Sequence, residues 1–152
     1  MDIIKIDRTQ GYLVFDLFDK YRVFYKQPSD IELAKNFIQT RLDNNESIIF
    51  VALVNEKSKP VGFTQLYPKY SSVRAVRNWI LNDLYVDKEY RKQGIGEKLI
   101  KTAMNFAKEN NAKFVELSTA VDNYAGQSLY EQIGFEKQNP ETNFYSYRIS
   151  LT

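Results

Sequence analysis

Residues 81–108 read LNDLYVDKEYRKQGIGEKLIKTAMNFAK. At the start of the run, Ile80, Leu84, Tyr85 and Val86 have the apolar, partly alternating character of a strand buried on at least one face. Further on, Ile95, Leu99, Ala103 and Ala107 recur every four residues, and Ile100, Met104 and Phe106 widen the stripe. That spacing predicts an amphipathic helix packed on a sheet. Between strand and helix lies Arg91-Lys92-Gln93-Gly94-Ile95-Gly96. Its two glycines let an anion approach main-chain N–H groups that have no partner in the first helical turn, and the helix dipole with Arg91 and Lys92 adds positive potential. The construction reads as a phosphate or pyrophosphate site. Glycines that only shape a turn, beside solvated Arg91 and Lys92, share the same spacing. The run is neither a P-loop nor a dinucleotide fingerprint, because GxxxxGK[ST] and GxGxxG are both absent.

Outward from this stretch, 152 residues with 43% hydrophobic content fit one domain, 1–152, with a full core. No segment is long and apolar enough to cross a membrane. The N-terminus MDIIKIDR lacks the basic start, apolar run and small-residue cleavage site of a secretory leader, so a cytoplasmic location is the default expectation. With no Cys and no His, disulfides, thiolate nucleophiles, imidazole bases and thiolate or imidazole metal sites are excluded, and no metal is expected. The balance of 21 basic against 19 acidic residues argues against nucleic acid as the partner, although Lys57, Lys59, Lys69, Arg74 and Arg77 would supply a basic surface.

Residues 3–6 form a short apolar run consistent with an opening strand. Over 11–25, Leu13, Leu17 and Tyr21, flanked by Val14, Phe18 and Phe24, make one helix face that ends before Pro28. Asp30 is placed to cap a second helix over 31–42, with Ile31, Ala34, Phe37, Ile38 and Leu42 turned inward. Residues 48–54 and 61–67 read as strands joined by a turn at 56–60, hence a hairpin. Pro68 and two serines make 67–72 the candidate loop at a mouth, before a long strand that begins at Val73 or Ala75 and runs to Val86. After the central helix, 112–117 supplies a strand able to lie parallel to that one, 123–132 reads as a helix ending near Gly134, and 143–151 reads as a closing strand. The sum is helices on a largely antiparallel sheet with one β-α-β crossover.

Two sets of residues carry a resemblance. Arg91, Gly94 and Gly96 stand where the acetyl-CoA motif of the GCN5-related N-acetyltransferase (GNAT) superfamily has Arg or Gln, then Gly, then Gly or Ala. Asn123, Leu129, Tyr130, Gly134 and Phe135 match its second motif, with Gly126 where Ala is usual. The detailed match runs from about Leu81 to Phe135, and upstream the order of elements agrees. The resemblance implies an α/β (α+β) fold, a mixed, largely antiparallel sheet flanked by helices, splayed between 80–86 and 114–118 around the acetyl-CoA arm. It implies acetyl-CoA as cosubstrate, with the arm bonded to the main chain of Leu84, Tyr85 and Val86. The pyrophosphate would meet N–H groups of Lys92, Gln93, Gly94, Ile95, Gly96 and Glu97, with Arg91 alongside. A bulky residue at Gly94 or Gly96 would then weaken cofactor binding by a clash rather than by loss of a donor.

The chemistry implied is direct attack of an amine on the thioester, which needs a neutral amine, a polarised carbonyl and a proton for the departing thiolate. Tyr130 matches the family tyrosine that supplies that proton, although a helix tyrosine with its ring in the core has the same spacing. Asn123 is implied beside the pantetheine arm and also suits a helix cap. The base is less direct. Where several small-amine enzymes of the superfamily have Glu, this chain has Asn82, which takes no proton at physiological pH. Asp83 adjoins it but points to the opposite face unless a bulge re-aims it. A water chain ending at main-chain groups or at Tyr67, Tyr85 or Tyr124 is the alternative. For the acceptor, Tyr21, Tyr25, Tyr67, Tyr70 and Trp79 with Glu32 and Asp83 offer an aromatic, mildly acidic cleft suited to a small-molecule amine. A protein N-terminus or lysine as acceptor and a non-catalytic acetyl-CoA-binding regulator are the other readings. Tyr145, Tyr147 and Ile149 alternate with polar residues and suit self-association, and family members are often homodimers.

Overall fold

The computed structural model describes residues 1–139 and 143–152. Two compact units divide the chain, Met1–Ser118 and Thr119–Thr152. The first holds a five-stranded sheet whose strands, β1 (Asp2–Lys5), β2 (Ile48–Val54), β3 (Lys59–Ser71), β4 (Val76–Val86) and β5 (Val115–Glu116), lie side by side in chain order. All neighbours are antiparallel except β4 and β5, which run parallel through α3 (Ile95–Glu109). This is the mixed, largely antiparallel sheet with one crossover that the residue pattern predicts.

Two helices lie ahead of the hairpin. A 3-10 turn at Gly11–Leu13 leads into α1 (Phe15–Phe24), and α2 (Ile31–Asp43) begins at Asp30, whose carboxylate accepts from the Leu33 N–H at 3.1 Å. That cap satisfies one of the free donors of the first turn. Ala34, Ile38 and Leu42 of α2 join Val14, Leu17 and Phe18 over one face of the sheet, against Ile49, Val51, Leu53 and Phe63. Ile31 and Phe37, predicted inward, are more than a third exposed, and Phe37 lies at the edge of the layer, its ring stacked on Phe18 at 5.5 Å. α3 covers the other face with Leu99, Ile100, Ala103 and Ala107, while Phe106 meets the rings of Phe50 and Trp79 at 5.8 and 5.3 Å. Met104, read as part of the stripe, is exposed.

Three predicted boundaries change. Residues 67–71, expected as a loop, continue β3, and the turn falls at 72–75. Pro68 is tolerated there because β2 ends opposite Leu66, so that beyond it β3 pairs on one side alone. β5 is reduced to two residues, opposite Trp79 and Ile80. Residues 143–151 form no strand, and Tyr145, Tyr147 and Ile149 are exposed; alternation becomes a strand when a neighbouring strand pairs with it, and among the described residues no strand lies beside this segment.

The second unit contains α4 (Tyr124–Ile133), capped by Asn123 and closed by Gly134 at φ +122°.

Candidate active site

Pairing between β4 and β5 ends at Ile80 and Glu116, so residues 81–86 have β3 on one side and, among the described residues, no strand on the other. Along that free edge every second residue turns its N–H and C=O outward. Leu84, Tyr85 and Val86 lie on it, opposite Thr64, Phe63 and Gly62. The chain then makes a 3-10 turn at Lys88–Tyr90, passes Lys92 at φ +62° and enters α3 through Gly94 at φ +81°. No side chain caps α3, which leaves its first-turn N–H groups available. A Cβ at Gly94 would meet nothing within 4 Å, so the space beside the helix start is open. The sequence attributes the need for glycine there to a clash; the left-handed φ supplies a further reason, since other residues are strained in it.

Arg91 is tied back from this loop. Its Nε donates to the Val86 carbonyl at 2.8 Å, and its guanidinium lies over Phe24 and Tyr85, 5.6 and 5.4 Å from the ring centroids. It braces the loop against β4 and α1, a role that the charge count alone does not reveal. Gln93 reaches back to the Glu89 carbonyl, and Glu97 pairs with Lys101 at 2.8 Å, which neutralises a carboxylate that would otherwise repel an anion from the first turn. Ile95 is buried beneath the loop. This set fits the pyrophosphate end of a coenzyme A ester, which asks for main-chain donors and room more than for side-chain charge.

The register of β3 against β4 slips between Gln65 opposite Asp83 and Leu66 opposite Leu81, so Asn82 is an extra residue in β4. One extra residue exchanges the faces. Trp79 packs on Phe106 of α3, whereas Tyr85 joins the cluster under α1 and α2, although the two numbers share a parity that an unbroken strand would keep on one face. Asp83 is thereby turned toward α1, which meets the condition for its use in place of Asn82. The bulge is held from both faces: Thr64 Oγ1 donates to the Asp83 carbonyl at 2.8 Å, and the Tyr21 hydroxyl to the Asn82 carbonyl at 3.3 Å.

The Asp83 side chain is buried and accepts from Gln65 Nε2 and, at 2.9 Å, from Asn82 Nδ2, and the nearby Tyr21 hydroxyl also favours its charged form. Gln65 is itself fixed by Ser47, whose Oγ donates to Gln65 Oε1 at 2.7 Å. No Lys or Arg forms an ion pair with Asp83 among the described residues. Burial pushes the Asp83 carboxyl above its ordinary range, against the pull of these three donors. The Tyr21 phenol is raised by burial and by the Asp83 charge, and Tyr67 is pushed up to about 12 for the same two reasons.

Of the predicted acceptor cleft, Tyr21, Tyr25, Tyr67 and Asp83 gather on this face, with the Tyr21 and Tyr25 rings 5.0 Å apart. Trp79 does not join them: the bulge leaves it on the α3 face, buried beneath Arg77, with no hydrogen-bond partner for its Nε1 among the described residues. Tyr70 is exposed near the hairpin tip, and Glu32 pairs with Lys35 on the outside of α2. Ser47 and Gln65 were not predicted; the signal available was a glutamine amid the apolar residues of β3.

In the second unit, Asn123 Oδ1 accepts from the Gly126 N–H at 3.2 Å and its Nδ2 donates to Thr119 Oγ1 at 2.9 Å. A Cβ at position 126 would stand 2.5 Å from Asn123 Nδ2, which accounts for glycine where the family motif has alanine. Tyr130 is half-buried, its ring edge-on to Phe135 at 6.1 Å and its carbonyl accepting from the Gly134 and Phe135 N–H groups at the helix end.

A parallel strand pair whose pairing stops at Ile80 and Glu116, beside an uncapped, glycine-led helix, is the arrangement that the resemblance implies for an acyl-coenzyme A site, and comparison with known proteins agrees. The model of the Acetyltransferase (GNAT) family matches residues 13–135. The chain is 40% identical over 151 residues to the uncharacterized N-acetyltransferase YhfO of Bacillus subtilis, covering 99% of this chain and 98% of that one. It is 30% identical over 150 residues to a probable acetyltransferase of Haemophilus influenzae, covering 99% of both. A crystal structure of a probable acetyltransferase superposes with a TM-score of 0.90 at 40% identity, covering 99% of each chain. The chain belongs to the GNAT family and is an acetyl-CoA-dependent acetyltransferase, with acetyl-CoA as its cosubstrate. No helix among the described residues is long and apolar enough to cross a membrane.

Proposed function

We propose that residues 1–152 act as one N-acetyltransferase domain that acetylates the primary amine of a small molecule by direct attack. The observation that carries this reading is the buried Asp83, a carboxylate among tyrosines with no cation of its own, which favours an incoming ammonium group. Acetyl-CoA supplies the activated acetyl group. Main-chain groups of Leu84, Tyr85 and Val86 and the N–H groups from Lys92 to Glu97 hold it, with Asn123 beside its arm. Asp83 receives the proton that frees the amine. Tyr130, assigned by its motif position, donates a proton to the departing sulfur. A cytoplasmic homodimer completes the reading, supported by the exposed Tyr145, Tyr147 and Ile149.

The test is release of free thiol from acetyl-CoA across a panel of small primary amines, an N-terminal peptide and a lysine peptide, with Tyr130→Phe alongside. One small-amine class should accelerate release, and Tyr130→Phe should lower kcat by about 100-fold or more while CoA binding persists, the range for loss of a positioned acid. Acceleration by the peptides alone would transfer the activity to protein acceptors.

A further inference from the structure

Asp83 has a difficulty as the sole recipient of a substrate proton: it is 3% exposed. Its hydrogen-bond partners differ in what they can pass on. Gln65 is wholly buried, and Asn82, though exposed, carries an amide that neither gains nor loses a proton near neutral pH. Tyr21 is different, being partly exposed with a hydroxyl that is both donor and acceptor. Its single proton is donated to the Asn82 carbonyl at 3.3 Å, and the hydroxyl stands close enough to the neighbouring Asp83 carboxylate to favour its charged form. An O–H···O bond of 3.3 Å is long, so the proton is weakly held at that carbonyl.

The geometry points to Tyr21 as a further catalytic residue, the hydroxyl that meets the acceptor amine and relays its proton to the buried Asp83. This rests on the proposed transfer to an amine with Asp83 as the final base. In the relay an N–H bond of the substrate ammonium breaks as its proton joins the phenol oxygen, and the phenol O–H bond breaks as that proton joins the Asp83 carboxylate. The amine is left neutral with its lone pair free, Tyr21 is unchanged, and Asp83 is a carboxylic acid that returns the proton by the same route after product leaves. No phenolate forms, in keeping with a phenol whose burial beside Asp83 disfavours ionisation. Asp83 is suited to the last position because burial makes it a stronger proton acceptor than an exposed aspartate. The remaining groups that act on the pair are Tyr25 at the end of α1 and Tyr67 from β3, the latter also under the charges of Arg41 and Glu46, while Gln65 and Ser47 hold the carboxylate from behind.

Two measurements on the full chain test the relay. Carbon NMR titration of the Asp83 carboxyl, without substrates, should move to higher pH in Tyr21→Phe, because a donor that favours the charged form is gone; an unmoved titration overturns the contact on which the relay depends. The thiol-release assay, with whichever panel amine is fastest, should show kcat lowered about 100-fold in Tyr21→Phe and in Asp83→Asn, and no further in the double variant, since groups acting as a unit are not additive. Both substitutions keep side-chain shape, and Tyr21→Phe retains the ring contacts with Phe63 and Tyr25. Losses that multiply, or a Tyr21→Phe effect confined to KM, overturn the relay while leaving the transferase reading in place. Full activity in Asp83→Asn overturns Asp83 as base, and the relay with it. An absence of turnover with every amine overturns the transfer to a small amine and the use of the relay in it.

Discussion

The two faces of the sheet are built by the same strands and are chemically unlike. On the α3 side Phe50, Trp79, Leu99, Ile100 and Phe106 make a dry layer. On the α1 and α2 side an equally buried layer contains Phe18, Ile49, Val51 and Phe63, yet Ser47, Gln65 and Asp83 run through its end as a continuous hydrogen-bonded line. A sheet stabilised by burial alone has no use for that line, since each of its polar groups gives up water. The bulge at Asn82 creates the difference: it places Trp79 in the dry layer and Asp83 in the polar one. A buried carboxylate therefore sits where the open edge of β4 begins.

The largest effect is expected from removing Asn82, which would restore one parity along β4. Either Asp83 would enter the dry layer or Trp79 would leave it. Carrying an unpartnered carboxylate among Phe50, Leu99 and Phe106 costs several kcal/mol, so the variant is expected to be largely unfolded by circular dichroism or devoid of transferase activity. A folded, active variant would show that the two faces are interchangeable. Next in size is Leu99→Ala in the dry layer. Leu99 is wholly buried, and its truncation should cost about 2–5 kcal/mol in urea denaturation. CoA affinity of the fraction that stays folded should be unchanged, as the main-chain donors before it are untouched.

The sequence made one of these faces easier to read than the other. Four-residue spacing from Ile95 to Ala107 exposes the inner surface of α3, and the cap at Asp30 marks the start of α2, because each signal lies within one turn or one helix. The polar line is spread over β3, β4 and the residue before β2: Ser47 and Gln65 are 18 residues apart, as are Gln65 and Asp83, and pairing decides their contact. Asn82 likewise becomes a bulge through register, which local alternation does not contain. Pro68 misled for a related reason, since whether a strand tolerates proline depends on whether a neighbour needs its N–H, and β2 has already ended there. At 143–151 alternation was present without a pairing strand.

The smallest effect, and the one that most sharpens the contrast between the faces, is the pH dependence of stability in Asp83→Asn. The folded-state pKa of Asp83 is raised by burial, so the folded chain holds that proton to higher pH than the unfolded chain does. Its contribution to stability is then most favourable below the ordinary carboxylate range, declines as pH rises from there through the raised folded value, and is constant above it. Asparagine keeps the shape and cannot ionise. The stability of Asp83→Asn minus that of the native chain should therefore increase across that window and then level off. Asp19, whose carboxylate accepts from Ser29 Oγ and the Asp30 N–H and lies below its ordinary range, contributes with the opposite sign, so native stability alone blends the two slopes while the difference between the two proteins isolates Asp83. Urea midpoints at closely spaced pH values read it directly. A flat difference would mean that the donors from Gln65, Asn82 and Tyr21 fully offset the burial of the charge, and the polar face would then be no more costly to assemble than the dry one.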